Sequence, residues 1–255
     1  MTIDVHQFNC RADNFGLLIR DRATGTVALI DAPEEQAILD AIAETGWTPS
    51  YILTTHHHAD HVEANAALKA RYGLQIIAPA AEADRIPGVD RTVREGDRIA
   101  IGASEAVVIE TPGHTAGHVS YHFPQAQVVF TADTLFALGC GRLFERPPEV
   151  MHASLAKLAA LPPETAVYCG HEYTLSNARF ARTIDPDNKA LAARAAEIER
   201  LRAEGKATLP TSIGAELETN PFLRAADPAI RKHLGMQNAT DAQVFAEIRK
   251  RKDNA

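Results

Sequence analysis

No apolar run in the 255-residue chain approaches the roughly 20 residues needed to span a bilayer, so a membrane partner is not expected. The opening Met1-Thr2-Ile3-Asp4-Val5-His6 has neither a basic n-region nor an apolar h-region, and a secretory leader is not expected either. Cysteine is scarce: Cys10, Cys140 and Cys169 are odd in number, widely spaced and without a C-x-x-C pair. That excludes a disulfide framework and points to a reducing cytoplasm. Basic residues are outnumbered, with 26 Lys and Arg against 33 Asp and Glu and a net charge of −7, which argues against a nucleic-acid partner. Low-complexity tracts and internal repeats are also missing. What remains is the composition of an ordinary globular protein, long enough for one large domain or a domain with an appendage.

Histidine is what the chain has in quantity, and its placement is the signal. The tract His56-His57-His58-Ala59-Asp60-His61-Val62 follows directly on the apolar, β-type run Tyr51-Ile52-Leu53-Thr54-Thr55. In an extended segment alternate side chains share a face, so His56 and His58 can aim into one cavity while His57 turns away. Asp60 and His61, at the next strand-to-helix junction, are placed to reach a second ion. Three further residues repeat the arrangement: His114 in Thr111-Pro112-Gly113-His114-Thr115, Asp133 after the run 127–131, and His171 in Cys169-Gly170-His171-Glu172. A single histidine is more often structural than ligating, but the recurrence of such residues after predicted strands points to one site at strand C-terminal ends. His56, His58, His61, His114 and His171 with Asp60 and Asp133 form a nitrogen and oxygen donor set without thiolate. That set suits two divalent metal ions, zinc first, with iron or manganese also compatible.

Along the chain, residues 14–20 and 26–31 read as a β-hairpin, and Pro33 with two glutamates opens a helix ending near Gly46. A helix over about 62–72 stops at Gly73, and short strands are predicted over 75–77, 98–101, 106–110, 119–123 and 127–131. From Thr174 the pattern becomes helical, over 175–184, 187–203 and 241–252, with 210–221 read as a Gly- and Pro-containing linker. His118 and His122 are predicted in a strand near the site, in a structural or ligand-orienting role. Cys169 reads as a packed small residue, and His6, His152 and His233 as ordinary positions.

The pattern Thr55-His56-x-His58-x-Asp60-His61, then His114, Asp133 and His171, resembles the metallo-β-lactamase superfamily. Segments 139–145, 170–174 and 219–224 and the terminal Lys252-Asp253 resemble, more narrowly, the hydroxyacylglutathione hydrolase (glyoxalase II) family, and the similarity runs over nearly the whole chain. The resemblance implies an α+β fold, an αββα sandwich over 1–173 carrying the site, and a helical substrate-binding domain over 174–255. It implies hydrolysis of S-D-lactoylglutathione to D-lactate and glutathione in methylglyoxal detoxification, by a monomer. Carried over by position, His56, His58 and His114 would hold one metal, Asp60, His61 and His171 the other, and Asp133 would bridge them. Arg142, Phe144, Tyr173, Arg249 and Lys252 would contact the thiol peptide, Phe144 standing where some members carry Tyr. The loop Arg146-Pro147-Pro148 departs from the small, Gly-containing turn of the family.

Two divalent ions less the charges of Asp60 and Asp133 leave such a site net positive, which favours a developing oxyanion. A thiolate leaves without needing a strong general acid. Arg249 and Lys252, three apart on a helix, share a face suited to glutathione carboxylates, although the run Ile248–Lys252 is also a favourable basic helix end. Alternatives are an iron-dependent glutathione persulfide dioxygenase of the same superfamily and a non-catalytic metal-binding module.

Overall fold

The computed structural model describes residues 2–255, which divide into two compact units. The first comprises residues 2–110 and Thr115–Thr131, the second Thr111–His114 and Ala132–Ala255.

In the first unit, β1 (Ile3–Cys10), β2 (Asn14–Asp21), β3 (Val27–Ile30), β4 (Tyr51–Leu53), β5 (Gln75–Pro79) and β6 (Arg91–Val93) form one sheet in chain order. The first three strands are antiparallel, joined by tight turns, and the last four run parallel. Parallel pairing needs crossover connections, supplied here by α1 (Glu35–Thr45) between β3 and β4 and by α2 (Ala59–Val62) and α3 (Asn65–Tyr72) between β4 and β5, with a loop and one short 3-10 turn leading to β6. Gly46 ends α1 in the left-handed conformation, at φ 70°, that only glycine takes without cost. Leu18, Leu29, Ile52 and Ile76 of the sheet pack with Ile38 and Ile42 of α1 and Leu68 of α3. Each such side chain contributes about 1.5–3 kcal/mol on full burial. The helix predicted over about 62–72 is α3, which starts at Asn65 and stops at Gly73 as expected, with α2 a separate turn before it. Strand β1 was not predicted, because His6, Gln7 and Asn9 mask its apolar alternation.

Strands β7 (Arg98–Ile101), β8 (Ser104–Glu110), β9 (Val119–Phe123) and β10 (Val128–Ala132) follow as an antiparallel run ordered β10-β9-β8-β7. Two buried contacts tie it to the first sheet. Tyr121 donates its hydroxyl to the Thr54 carbonyl at 2.6 Å, and Asp21 accepts from Ser104 Oγ at 2.7 Å.

The second unit holds the hairpin β11 (Leu135–Phe136) and β12 (Gly139–Cys140), then α4 (Pro148–Ala159), β13 (Ala166–Cys169), α5 (Thr174–Ile184), α6 (Lys189–Ala203), β14 (Thr211–Ser212), α7 (Ile213–Thr219), α8 (Pro228–Leu234) and α9 (Asp241–Asp253). The 187–203 helix starts at Lys189, because Asn188 caps it by accepting from Leu191 N. The stretch 210–221 is not a linker. Ser212 caps α7, and the fully buried Glu216 accepts from Leu138 N at 2.8 Å and Asn220 Nδ2 at 2.9 Å and pairs with Arg194. Asn220 also donates to the carbonyls of Phe136 and Gly139, so the Thr219-Asn220-Pro221 segment braces the β11–β12 hairpin. Among the described residues, no helix is long and apolar enough to cross a membrane.

Candidate metal centre

Strand β4 stops at Leu53, and residues 54–58 continue irregularly, so the strict alternation expected there is relaxed. The outcome is nevertheless the predicted one. The His56 ring lies 4.8 Å from that of His58 and 4.1 Å from that of His61; the His57 ring also lies 4.8 Å from that of His58, but its Nδ1 is directed to Glu82, 2.7 Å from the carboxylate. Because His58 is the N-cap of α2, Asp60 and His61 project from the helix's first turn.

Asp31 organises this cluster, and the sequence reading missed it. Buried at the end of β3 with φ 57°, a left-handed conformation that Asp tolerates better than most residues, it accepts from Thr55 N (2.7 Å), Thr55 Oγ1 (2.8 Å) and His61 Nδ1 (2.8 Å). Thr55 Oγ1, having given its proton to Asp31, accepts from His56 Nδ1 at 3.0 Å. Both imidazoles thereby carry hydrogen on Nδ1 and present the Nε2 lone pair outward. Asn14 plays the matching part for Asp60, donating to its Oδ2 at 3.1 Å. His118, fully buried, stacks on His56 at 4.8 Å.

In the second unit, His114, Asp133 and His171 converge. Asp133 Oδ2 lies 3.3 Å from His114 Nε2 and 3.4 Å from His171 Nε2. His114 Nδ1 donates to the Arg142 carbonyl at 2.8 Å, which again leaves Nε2 as a lone pair. Gly141 is required here, since any Cβ would collide with the Asp133 carbonyl oxygen. Tyr173 stacks flat on His171 (4.8 Å, 3°), and Phe144 sits edge-on to His114 at 5.2 Å. Phe144 is 60% exposed and Tyr173 37%, so apolar surface is left open beside the two imidazoles.

The basic residues differ among themselves. Arg142 is exposed, 3.6 Å from Asp253. Arg249 is 6% exposed and already committed, donating to the Cys140 carbonyl at 3.0 Å and to Asp253 while lying over the Phe222 ring. Lys252 is bonded to Ser176 Oγ at 3.1 Å and borders a cavity of about 710 Å³ that Arg179 and Arg202 also line. Burial, and then the neighbouring Arg249, lower its amine below the usual lysine range. All three cysteines are buried and free; burial pushes Cys169 up to about 12 and Cys140 up to about 11, so neither is an activated nucleophile.

These contacts test whether the residues suit metal ions. His114 Nε2 faces Asp133 at 3.3 Å and His61 Nε2 faces Asp60 Oδ2 at 3.6 Å, with Nδ1 holding the proton in both rings. Lone pair against carboxylate is unfavourable unless a proton or a metal ion stands between them, and anchoring of the remote ring nitrogen is how ligating histidines are held. The donor set fits.

Residues 17–171 match the family model of the metallo-beta-lactamase superfamily, which gives the class of the fold. Solved structures agree. ETHE1 from Myxococcus xanthus is 27% identical with a TM-score of 0.70, over 97% of this chain and 90% of that one. A protein solved in a di-iron-bound form is 28% identical with a TM-score of 0.65, over 86% of this chain and 100% of that one. The expected α+β architecture, an αββα sandwich with a helical C-terminal part, is thus observed. Residues 172–255 match the model described as the hydroxyacylglutathione hydrolase C-terminus. The chain is 66% identical over 253 residues to the hydroxyacylglutathione hydrolase of Chelativorans sp. (strain BNC1), covering 99% of each, and 66% identical over 254 residues to that of Mesorhizobium japonicum, covering 100% of each. The chain belongs to the hydroxyacylglutathione hydrolase family.

Proposed function

We propose that this chain hydrolyses the thioester of S-D-lactoylglutathione, and of related S-(2-hydroxyacyl)glutathiones, to glutathione and the 2-hydroxy acid, the second step of methylglyoxal detoxification. The observation that carries the reading is the anchoring of His56, His61 and His114 through Nδ1, which presents Nε2 donors beside Asp60 and Asp133. In this reading His56, His58 and His114 hold one divalent ion, Asp60, His61 and His171 hold the other, and Asp133 serves both. Zinc is the first choice for its nitrogen and oxygen ligands, with iron or manganese compatible. Two such ions supply the activated water and the Lewis acid for acyl transfer.

The chain's own residues do the rest. Asp31 and the Arg142 carbonyl hold the imidazole tautomers, and Asn14 holds the Asp60 carboxylate. Phe144 and Tyr173 offer apolar ring surface to the substrate beside His114 and His171, and Arg142 and Lys252 meet the carboxylates of the peptide. The helical segment 174–255 is the substrate-binding part, and the protein acts as a cytoplasmic monomer. Thioester absorbance of S-D-lactoylglutathione should fall on addition of metal-replete protein and cease to fall after chelation. Oxygen uptake on glutathione persulfide, with no thioester loss, would overturn the reading in favour of a dioxygenase. Loss of folding on chelation without turnover of any thioester would point to a structural metal module.

A further inference from the structure

We infer that Glu82, which is not among the ligands, is the positioning residue for the histidine loop: its buried carboxylate clamps the segment carrying His56 and His58 and sets the bite of the two rings. The inference rests on the reading of those histidines as metal ligands. Glu82 comes three residues after the end of β5, which runs parallel beside β4, so the two strands deliver their following segments side by side. It is 2% exposed. Oε2 accepts from His57 N at 2.8 Å and lies 2.7 Å from His57 Nδ1, while Oε1 accepts from Gly117 N at 2.7 Å.

His57 stands between the two ligands, so fixing its N–H and its ring fixes the backbone on both sides and turns its Nδ1 to the carboxylate, although the ring itself packs 4.8 Å from that of His58. Gly117 immediately precedes His118, whose ring stacks on His56 at 4.8 Å. One carboxylate therefore holds both the ligand loop and the segment presenting the ring packed against a ligand. The approach is close enough to exclude a side chain at 117, where a Cβ would stand 2.5 Å from Ala81 Cβ and 2.9 Å from Glu82 Cγ. A buried carboxylate is costly unless its oxygens are saturated. Here the saturating donors come from two segments of the site, 25 and 35 residues away in sequence. Charge-assisted bonds of this kind are the stronger class.

The test compares Glu82→Gln with the direct-ligand variant His58→Ala in the full chain, with cobalt(II) as the probe metal. Affinity is read by chelator competition and geometry by the visible cobalt bands. Glutamine keeps the length but sets an NH2 against one of two N–H donors. Glu82→Gln should therefore bind cobalt about 10- to 100-fold more weakly, with shifted bands, and lower kcat more than it raises KM. If His58→Ala loses a cobalt equivalent while Glu82→Gln binds with wild-type affinity and bands, the positioning role is overturned and the ligand reading stands. If His58→Ala binds cobalt as the wild type does, the ligand reading itself is overturned. Should Glu82→Gln not fold, Glu82→Asp, charged but a methylene too short to reach both N–H groups, is judged by the same two readouts.

Discussion

Replacing Asp31 by asparagine tests the orientation of the histidines without removing a ligand. Asp31 accepts three hydrogen bonds, one at Oδ1 from Thr55 N and two at Oδ2 from Thr55 Oγ1 and His61 Nδ1. Asparagine has one acceptor oxygen and one NH2. With the NH2 at the Oδ1 position, two donors face each other across a bond now 2.7 Å long. With it at the Oδ2 position, the Thr55 hydroxyl must turn and His61 must move its proton to Nε2, where it points at Asp60 instead of offering a lone pair. The second arrangement costs less, because a hydroxyl rotation and a tautomer change relieve it. It also removes His61 as a donor to metal. Loss of a partner that orients a ligating histidine typically costs 10- to 100-fold in metal affinity, or about 1.4–2.7 kcal/mol. A bond to a charged group is worth about 1.5–3 kcal/mol, so one such bond going unreplaced accounts for the same range. Asp31→Asn should therefore bind zinc 10- to 100-fold more weakly in chelator competition, lose kcat in parallel at fixed metal, and recover part of it at high metal. Zinc affinity within twofold of the wild type, in a folded variant, would refute the reasoning.

Asn14→Ala removes the donor to Asp60 Oδ2 and should lower metal content toward one equivalent under limiting metal, measured by elemental analysis; two equivalents retained would remove Asn14 from the site. Lys252→Ala should raise KM for glutathione thioesters with metal content unchanged. Arg249→Ala should behave differently, lowering the melting temperature by an amount corresponding to about 1–3 kcal/mol, since it leaves the carbonyl of the buried Cys140 without its donor and the exposed Asp253 without its ion pair. For Asp21, burial raises the carboxyl pKa, but hydrogen bonds from Ser104, Thr24 and Ala103 outweigh it and bring the folded value to about 2, against 3.8 for the free group. A depressed carboxyl stabilises the fold above the unfolded pKa and loses that contribution as pH falls through the folded one, here about 2 kcal/mol lost between about pH 4 and pH 2. Asp21→Asn should thus be less stable than the wild type in denaturant at pH 7, and the gap should close toward pH 2.

The residues proposed as ligands were legible because they are uncommon residue types placed after apolar runs. The residues that hold those ligands were not. Asp31 read as the last residue of a hairpin strand, Asn14 as a strand's first residue, and Glu82, in Pro79-Ala80-Ala81-Glu82-Ala83-Asp84, lies in a stretch with no period or motif to mark it. Their partners, backbone N–H groups and imidazole nitrogens for the two acids and the Asp60 carboxylate for Asn14, lie 24 to 46 residues away, and no local period reports such pairings. Glu216 was lost in a supposed linker for the same reason: a buried glutamate with Arg194, Leu138 and Asn220 around it looks like a surface glutamate in one dimension. Arg249 shows the converse. Its place beside Lys252 suggested a contact to glutathione carboxylates, and the fold also engages its guanidinium with Cys140 and Asp253.

The register of the parallel strands explains why ligands and holders alternate. Ile30, Leu53 and Ile77 lie side by side in β3, β4 and β5. The alignment continues past the strand ends, with Asp31 N bonded to the Leu53 carbonyl at 3.1 Å and Thr54 N to that of Ile77 at 2.8 Å. The middle strand runs on into the histidine tract, and each flanking strand runs on to a buried carboxylate, Asp31 on one side and Glu82 on the other. Asp31 grips Thr55 and His61, Glu82 grips His57, and the residues between them, His56 and His58, are left with their rings turned to each other. A tract of histidines after one strand is therefore only a third of the device. Its geometry depends on two acids that only the parallel neighbours of that strand can bring to the same edge.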